Sequence, residues 1–253
     1  MTMLAVERIK LFSTRSPWWC SLIALVLSIG FAAIMFGVIE DASTLSVATA
    51  EFGYGFGLAV VMVLAALAVT TEYRFNTIKT TFLAYPHRGS ALVAKTTVVA
   101  LLALLLGELA GFGSWALAMV MRPEADLALN TGAEWINVAG IGPIYALAAV
   151  LAVAVGLLVR HSAGAIALLM IYSQALEGLI QLIPNIGDDI YQWLPFNVAN
   201  KFITGDGASR GAERAGPPLS TSELSQPWAL AYFAAIAIAL LAIAIAVTKK
   251  RDA

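Results

Sequence analysis

The sequence has few of the residues on which metalloenzymes and disulfide-bonded proteins depend. It contains one cysteine, two histidines and only 12% charged residues in a chain of 253. A lone cysteine, Cys20, cannot form an internal disulfide or a thiolate metal cluster. His87 and His161 both lie in short polar connections, and neither an HExxH motif nor a Cys/His ligand spacing occurs. These shortages argue against a metal site in the chain.

The sequence also lacks a phosphate-binding loop, because no G-x-x-x-x-G-K-[S/T] motif occurs. No polar stretch is long enough to form a soluble nucleotide-binding domain. We therefore expect no catalytic site, no cofactor in this chain and no nucleic-acid partner. If ATP is consumed, another chain binds it.

What the sequence has in abundance is apolar residues, at 60%, with a mean hydropathy of +0.84. Soluble domains average about 25% charged residues, so the chain is predicted to be an integral membrane protein. A helix needs about 20 apolar residues to span a bilayer, whereas a barrel strand needs about 9–11. Runs of helical length predict an all-α membrane protein with one transmembrane domain, 1–253, and six transmembrane helices at about 18–39, 52–71, 91–120, 138–159, 163–183 and 227–248.

The positions of lysine and arginine predict the orientation of these helices. Six spans put both termini on one side, together with eleven Lys and Arg residues, and leave four on the other side. The eleven are Arg8, Lys10, Arg15, Arg74, Lys79, Arg88, Lys95, Arg160, Lys249, Lys250 and Arg251. Because basic residues concentrate in cytoplasmic segments, we expect a multi-pass protein of the cell membrane with cytoplasmic N- and C-termini.

Residues 1–16 are predicted to form an amphipathic helix on the cytoplasmic membrane surface. The apolar residues fall on one face and the polar residues on the other, the apolar ones being Leu4, Ala5, Ile9 and Phe12 and the polar ones Glu7, Lys10 and Thr14. An unstructured basic tail is the alternative.

The segment 184–226 is predicted to be extracellular. Its first half mixes polar residues with Tyr191, Trp193 and Phe196, which suit a helix that lies at the outer interface or dips into it. An ordinary loop with interfacial anchors is the alternative. The second half is rich in Gly, Pro and Ser and is predicted to be a polar loop.

The basic segment 72–90, between the second and third runs, has a helical pattern. Phe75, Ile78 and Phe82 recur at steps of three and four residues and therefore share one helical face. The pattern predicts a surface helix of about three turns whose apolar face packs on the bundle and whose polar face is presented to the cytosol. A surface helix without a partner remains the alternative.

The ends of this helix are predicted from its flanking residues. Thr70 and Thr71 precede Glu72, which offers an N-terminal cap with an acid in the first turn. Pro86 disfavours helical geometry at Tyr85, so the helix is expected to end there.

Polar side chains inside the apolar runs must avoid lipid, because a charge at mid-bilayer costs about 2.5–3.5 kcal/mol. Lys95 lies near the start of the third run and is expected to snorkel to the cytoplasmic interface. Gln174, Glu177 and Gln181 recur at steps of three and four and predict one polar stripe on the fifth span. This stripe fits a substrate path or a subunit interface, and a satisfied set of interhelical hydrogen bonds is the alternative.

Closely spaced glycines predict tight helix packing in two spans. Gly53 and Gly57 share a face at the start of the second span, and Gly107 and Gly111 flank Glu108 in the third. Glu108 has no polar stripe, so a structural role and a path-lining role remain open for it.

Several segments together resemble the permease subunits of ATP-binding-cassette (ABC) type 2 transporters. They are "KLFSTRSPWW" before the first span, "TTEYRFNTIKTTFLAYPHRG" after the second, "GLLVRHSAGAIA" between the fourth and fifth, the long outer segment and the short basic tail. The most specific phrase is T-E-Y-R-x-x-T-I-K-T-T-x-L-A-x-P-x-R. In that family this stretch is the coupling helix, which docks on a separate ATPase subunit.

The resemblance implies a permease that pairs with a second, same or similar, permease chain and carries two ATPase subunits, which bind ATP and Mg²⁺. It implies export, and the apolar composition suits a hydrophobic or amphipathic substrate. Spans two and five would line the path and the dimer interface, which includes Gly53, Gly57, Gln174, Glu177 and Gln181. The residues implied in docking or gating are Glu72, Tyr73, Arg74, Asn76, Thr77, Lys79 and Thr80.

Three other classes remain as alternatives. An ion-driven secondary transporter would show internal repeats and helices broken by Gly or Pro at mid-span, and no repeat is evident. An intramembrane enzyme would need a catalytic set at membrane depth, and both histidines lie in connections. A non-transporting scaffold or sensor with the permease fold would be distinguished by a transport or binding assay.

Overall fold

The computed structural model describes residues 2–84, 88–207 and 215–251, and over these ranges it is helical, without a β-strand. Six helical segments are long and apolar enough to cross a membrane, which confirms the predicted all-helical class with six such helices. They are Ser16–Val38, Val47–Arg74, Arg88–Met121, Ile141–Val159, Ser162–Gln181 and Gln226–Arg251.

Two of these segments are composite, and shorter helices lie before and between the long ones. In chain order the helices are α1 (Met3–Phe12), α2 (Ser16–Val38), α3 (Val47–Ala50), α4 (Tyr54–Arg74), α5 (Thr77–Ala84), α6 (Arg88–Met121), α7 (Gly132–Ala139), α8 (Ile141–Val159), α9 (Ser162–Ile171), α10 (Glu177–Gln181), α11 (Gly187–Tyr191), α12 (Pro195–Thr204) and α13 (Gln226–Arg251). A 3-10 turn, Glu51–Gly53, joins α3 to α4, and a π-helical turn, Tyr172–Leu176, joins α9 to α10.

Helix α8 lies at the centre of the bundle and packs against α4, α6 and α13. In the most apolar stretch of α8, 67% of the residues are buried, compared with 17% in the corresponding stretches of Ser162–Gln181 and α13. The Tyr145 side chain is fully buried, and its hydroxyl donates to the Tyr54 carbonyl oxygen at 2.6 Å. The outer spans therefore leave wide apolar faces for lipid or another protein to cover.

Glycines permit the closest helix contacts, as their spacing predicts. A Cβ at Gly107 would lie 2.7 Å from the Gly142 Cα atom, so only glycines fit where α6 crosses α8. A Cβ at Gly53 would lie 2.8 Å from the Phe31 Cβ atom, and one at Gly57 would collide with side chains of α2 and α8. The predicted tight packing of Gly53 and Gly57 is confirmed, and the surface they pack on belongs to the same chain.

The junction between α4 and α5 differs from the prediction. Helix α4 runs through Glu72 to Arg74, and the Thr70 and Thr71 hydroxyls donate to carbonyls four residues earlier, as in a helix interior. The predicted cap before Glu72 is therefore wrong. The helix ends because Asn76 adopts a left-handed conformation, with φ of 57°, which asparagine tolerates better than most residues. The predicted break at 85–86 lies outside the described residues.

The segment before the last span contains two helices, α11 and α12, and α12 packs on α13 and α7. Side-chain hydrogen bonds anchor it: the Asn137 amide donates to the Ile203 carbonyl at 2.5 Å, and the Tyr54 hydroxyl donates to Asn200 Oδ1 at 2.7 Å. Trp193 lies between the two helices rather than on one continuous helix. Part of the predicted polar loop, 208–214, lies outside the described residues.

Candidate functional site

Four charged side chains meet where α1, α4 and α6 come together, and we call them the charge cluster: Glu7, Lys10, Glu72 and Lys95. The Lys95 Nζ atom lies 2.5 Å from Glu7 Oε2 and 2.9 Å from Glu72 Oε1. The Lys10 Nζ atom lies 3.0 Å from Glu7 Oε1 and 2.7 Å from Glu72 Oε1. Two acids and two bases thus balance within one set of contacts.

The cluster is buried, with Glu7, Glu72 and Lys95 only 5%, 8% and 6% exposed. The prediction that Lys95 snorkels to the interface is therefore wrong. Two carboxylates supplied by other helices lie within reach, and this pairing offsets the cost of removing an ammonium from water.

Helix α1 turns its polar face towards the bundle. Glu7 is buried in the charge cluster, whereas Leu4 and Ile9 are 47% and 52% exposed. A helix is present within the predicted range, at Met3–Phe12, and its buried residues are Glu7 and Leu11. Its amphipathic character stays a prediction. Its place on the membrane surface stays a prediction.

Helix α5 is attached to the same cluster. The Lys10 ammonium donates to Thr81 Oγ1 at 3.1 Å, and Ile78 is buried, with 5% exposure. Phe82 is half-buried, whereas Phe75 precedes the helix and is 67% exposed. The predicted apolar face therefore consists of Ile78 and Phe82 without Phe75.

The seven residues implied in coupling fall into different environments. Glu72 belongs to the charge cluster, and Tyr73 is half-buried with the Arg160 guanidinium 5.0 Å from its ring centroid. The exposed members are Arg74, Asn76, Thr77, Lys79 and Thr80. The exposed five form a polar surface at the end of α4 and on α5, which we call the α5 surface. Their roles stay predictions.

The Lys10 ammonium shows how strongly the cluster favours its charged form. Burial alone would lower the pKa of Lys10, but hydrogen bonds and charge attraction from Glu72 and Glu7 outweigh burial and raise the pKa above its ordinary value of 10.5. Lys10 therefore stays charged at physiological pH and holds α1 to α4.

A cavity of about 530 Å³ adjoins the charge cluster. All four charged residues line it, together with apolar residues of α4 and α6 and with Ser16 and Pro17 of α2. No group of three or more His, Cys, Asp or Glu residues that could hold a metal occurs in the described part of the chain.

A second polar arrangement lies at the other end of the bundle, where Glu177 caps α12. Its Oε1 atom accepts from the Phe196 backbone N–H at 3.1 Å, and its Oε2 atom accepts from that of Asn197 at 2.9 Å. A carboxylate at this position satisfies free N–H groups and interacts favourably with the helix dipole.

The predicted stripe of three polar residues on the fifth span is wrong. Glu177 is 4% exposed, but Gln174 and Gln181 are exposed. The π-helical turn before Glu177 explains the difference, because the Glu177 N–H bonds to the Tyr172 carbonyl, five residues back. The extra residue rotates Glu177 away from Gln174.

Two further acids lie in or beside the spans. Glu108 is half-buried at the crossing of α6 and α8, where a Cβ at Gly142 would collide with its carboxyl group. Glu51 is 1% exposed, and neither carboxylate oxygen has a hydrogen-bond partner among the described residues. The one sequence signal that Glu51 enters the bundle is its position directly before an apolar run.

No protein-family model matches the chain, and no curated protein matches it in sequence. The resemblance to ABC permeases therefore depends on the quoted motifs alone.

Proposed function

We propose that the chain is a permease subunit of an ABC transporter. With a second permease chain, the same or similar, it forms a path through the cell membrane. Two separate ATPase subunits, which bind ATP and Mg²⁺, power the transport. The observation that carries the proposal is α5, a short helix between two spans whose polar residues are exposed and whose inner side is joined to the charge cluster.

The connections of α5 would make it an effective coupling element. Thr81 contacts Lys10, and Lys10 contacts both Glu7 and Glu72. Lys95 joins these acids to α6. A displacement of α5 would therefore move α1, α4 and α6 together, as expected for a rigid-body transition.

In this proposal α5 faces the cytoplasm. The ends of α4 and α8 and the starts of α2 and α6 lie on the side of α5, as does the C-terminal end of α13, where Arg251 Nη1 donates to the Leu158 carbonyl at 3.4 Å. The positive-inside bias supports a cytoplasmic location for both termini. Export of a hydrophobic or amphipathic compound is proposed from the family resemblance.

The fifth span supports the presence of a second permease chain. Gln174 and Gln181 are exposed on a segment apolar enough to cross a membrane. Lipid offers their amides no hydrogen-bond partner, so a protein surface or an aqueous path would have to cover them.

The proposal is tested by purifying the chain with an ATPase that carries a phosphate-binding loop and measuring hydrolysis. Arg74→Ala and Lys79→Ala remove charges from the α5 surface, and we expect them to weaken ATPase binding and lower the hydrolysis rate. Arg15→Ala removes another exposed charge, which lies between α1 and α2 rather than on the α5 surface, and should leave the rate unchanged. Normal coupling in the α5 variants, or external labelling of α5 in intact cells, would refute the proposal.

An ion-driven secondary transporter is the second candidate, and Glu51 favours it. A buried carboxylate without a hydrogen-bond partner among the described residues could take up a proton during transport. Transport in proteoliposomes distinguishes the two candidates. Dependence on a pH gradient without ATPase subunits, abolished by Glu51→Gln, would support the second candidate and exclude the first.

A further inference from the structure

We propose that a second cavity, which lies between α1, α6 and α13, binds the headgroup of an anionic phospholipid. We call it the α6–α13 cavity. Its volume is about 840 Å³, within the range of about 300–1,000 Å³ that is usual for small-molecule sites. The inference goes beyond the proposed function, because lipid binding is measured without any ATPase and whichever way the chain is oriented in the bilayer.

The α6–α13 cavity lies where two membrane-spanning segments have their ends. Helix α6 begins at Arg88 and α13 ends at Arg251, and the cavity is lined by Arg88 and Lys249 from these ends. Val93 and Ile245, which also line it, lie about one turn further into the two spans. Helix α6 has 34 residues, about 51 Å of helix, whereas the hydrocarbon core is about 30 Å thick. Its ends therefore reach the layer of lipid headgroups.

The charged side chains that line the cavity are both positive. The Arg88 guanidinium lies over the Phe82 ring, with 5.6 Å from Cζ to the ring centroid. The Lys249 side chain lies across Gly89, where a Cβ atom would be only 3.0 Å from the Lys249 Nζ atom. No aspartate or glutamate is among the described residues that line the cavity. Basic pockets of this kind between membrane helices suit anionic lipid headgroups.

Neighbouring groups do not cancel this positive charge. Glu7 lies three residues after the cavity residue Leu4, but each of its oxygens contacts a lysine of the charge cluster. Lys249 forms no ion pair with a described residue. The helix dipoles contribute little, because the N-terminal end of α6 and the C-terminal end of α13 meet here with opposite partial charges. A zwitterionic headgroup would bring a cation that meets no acid in the cavity, so an anionic headgroup fits better.

The rest of the lining identifies the ligand as a lipid rather than a soluble phosphate. It includes the apolar side chains of Leu4, Val93, Ala94 and Ile245. Leu4 and Val93 are 47% and 50% exposed, and a soluble phosphate would leave them uncovered. A phospholipid would cover them with the start of an acyl chain and place its phosphate between the two cations, where the exposed Ser90 hydroxyl can donate a hydrogen bond.

The test uses the full chain in phosphatidylcholine vesicles that contain a trace of phosphatidylglycerol with a diazirine in its acyl chain. A phosphatidylcholine probe with the same acyl chain is the reference, and mass spectrometry gives the ratio of labelling by the two probes at each residue. Each cation near the headgroup is worth about fivefold in affinity, so we expect a ratio of at least about tenfold at 93–97 and 245. The ratio should be near one at Val26 and Leu27, which are exposed on α2. A ratio near one at 93–97 and 245, or the same ratio on α2, would overturn the proposal.

Two variants with matched controls sharpen the test. Lys249→Gln removes one cation and should lower the ratio about fivefold, whereas Lys250→Gln removes an exposed lysine of the same helix that is not among the residues lining the cavity. Ser90→Trp fills the cavity without altering a charge and should abolish the preference, whereas Leu101→Trp, three turns further along α6, should preserve it. All four positions are exposed, so we expect the variants to fold. Equal effects of Lys249→Gln and Lys250→Gln would indicate general attraction to the end of α13 and would refute the site.

The source of the phosphate is resolved by adding soluble glycerol 1-phosphate at millimolar concentration. If it suppresses labelling by the phosphatidylglycerol probe, the ligand is a soluble phosphate compound and the assignment to a lipid is wrong. Labelling that persists would support the lipid. Phosphatidylglycerol in the vesicles should then also raise the melting temperature, because a ligand of the folded state stabilises it, and the rise should be smaller in Lys249→Gln.

Discussion

The Lys95 ammonium and the Glu7 carboxylate are 88 residues apart in the sequence, yet they form a buried ion pair with 2.5 Å between Nζ and Oε2. This pair fastens the N-terminal helix to the third span. Because Glu72 and Lys10 complete the cluster, the four residues act as one unit, and the effect of changing any one of them depends on the others.

Removing a single charge from the cluster should be more harmful than removing an opposite pair. Lys95→Met leaves two carboxylates to share one lysine in a buried site, and we expect it to lower the free energy of unfolding by about 3–5 kcal/mol. The double variant Lys95→Met with Glu72→Gln leaves the balanced pair of Lys10 and Glu7 and should recover much of this loss. Chemical denaturation of the purified protein in detergent measures both effects.

Lys79→Met is the matched control for Lys95→Met, because it removes a lysine that is exposed on α5. Its free energy of unfolding should change by less than about 1 kcal/mol. Lys95→Met and Glu72→Gln are also measured singly. If their losses of stability simply add in the double variant, the two residues are not coupled, and the description of the cluster as one unit is wrong.

The Glu177 carboxylate should stabilise α12. Glu177→Gln leaves only one acceptor for two backbone N–H groups, and we expect a loss of about 1–3 kcal/mol. Gln174→Leu, at an exposed position of the same span, should cost much less. Hydrogen–deuterium exchange should show faster exchange at Phe196 and Asn197 in the Glu177 variant, and unchanged exchange there would contradict the capping role.

The crossing of α6 and α8 should not tolerate a methyl group. Gly107→Ala would place a Cβ 2.7 Å from the Gly142 Cα atom and 2.8 Å from the Ile141 carbonyl oxygen, so the helices must separate. We expect a loss of about 1–3 kcal/mol from overpacking.

Gly30→Ala provides the control for this substitution, because no atom lies within 4 Å of the Cβ position at this helical glycine. Replacing it should leave stability unchanged or raise it by about 0.5–1 kcal/mol. Thermal unfolding of Gly107→Ala and Gly30→Ala tests this prediction. Equal melting temperatures would show that the close approach of α6 and α8 does not contribute to stability.

Alkaline pH should release α1 from the bundle. Because the folded protein raises the pKa of Lys10, the contribution of this lysine to stability is complete below its ordinary pKa of 10.5 and is lost as pH rises through the higher folded value. A spin label at the exposed Arg8 position, in a Cys20→Ser background, should become mobile over that interval. A label at Val120, at the far end of α6, should remain unchanged there, and simultaneous changes at both positions would indicate global unfolding instead.

The sequence was sufficient to predict the six spans because each has the length and hydropathy that a bilayer demands. The fifth span also shows the limit of this reasoning. The steps from Gln174 to Glu177 and to Gln181 predict one face only if the helix is regular. One extra residue in the π-helical turn rotates Glu177 away from Gln174. Periodicity carries no signal for such a turn.

The charge cluster was missed for a different reason. Glu7, Glu72 and Lys95 each lie near the end of an apolar run or in a basic segment, where solvent exposure is the usual outcome. Their burial depends on contacts between α1, α4 and α6, and sequence spacing within one helix cannot reveal a partner 88 residues away. The left-handed Asn76 likewise decides where α5 begins, and the cap-like threonines before it gave the wrong boundary.

The central position of α8 has a consequence for biosynthesis. The faces of α4 and α6 that pack on α8 leave the ribosome before α8 exists, and the last helix, α13, must then dock on the same core. Until Ile141 and the residues after it enter the bilayer, the glycine-lined surface of α6 has no helix to pack against. We therefore expect a chain truncated before α8 to be recognised as defective and degraded.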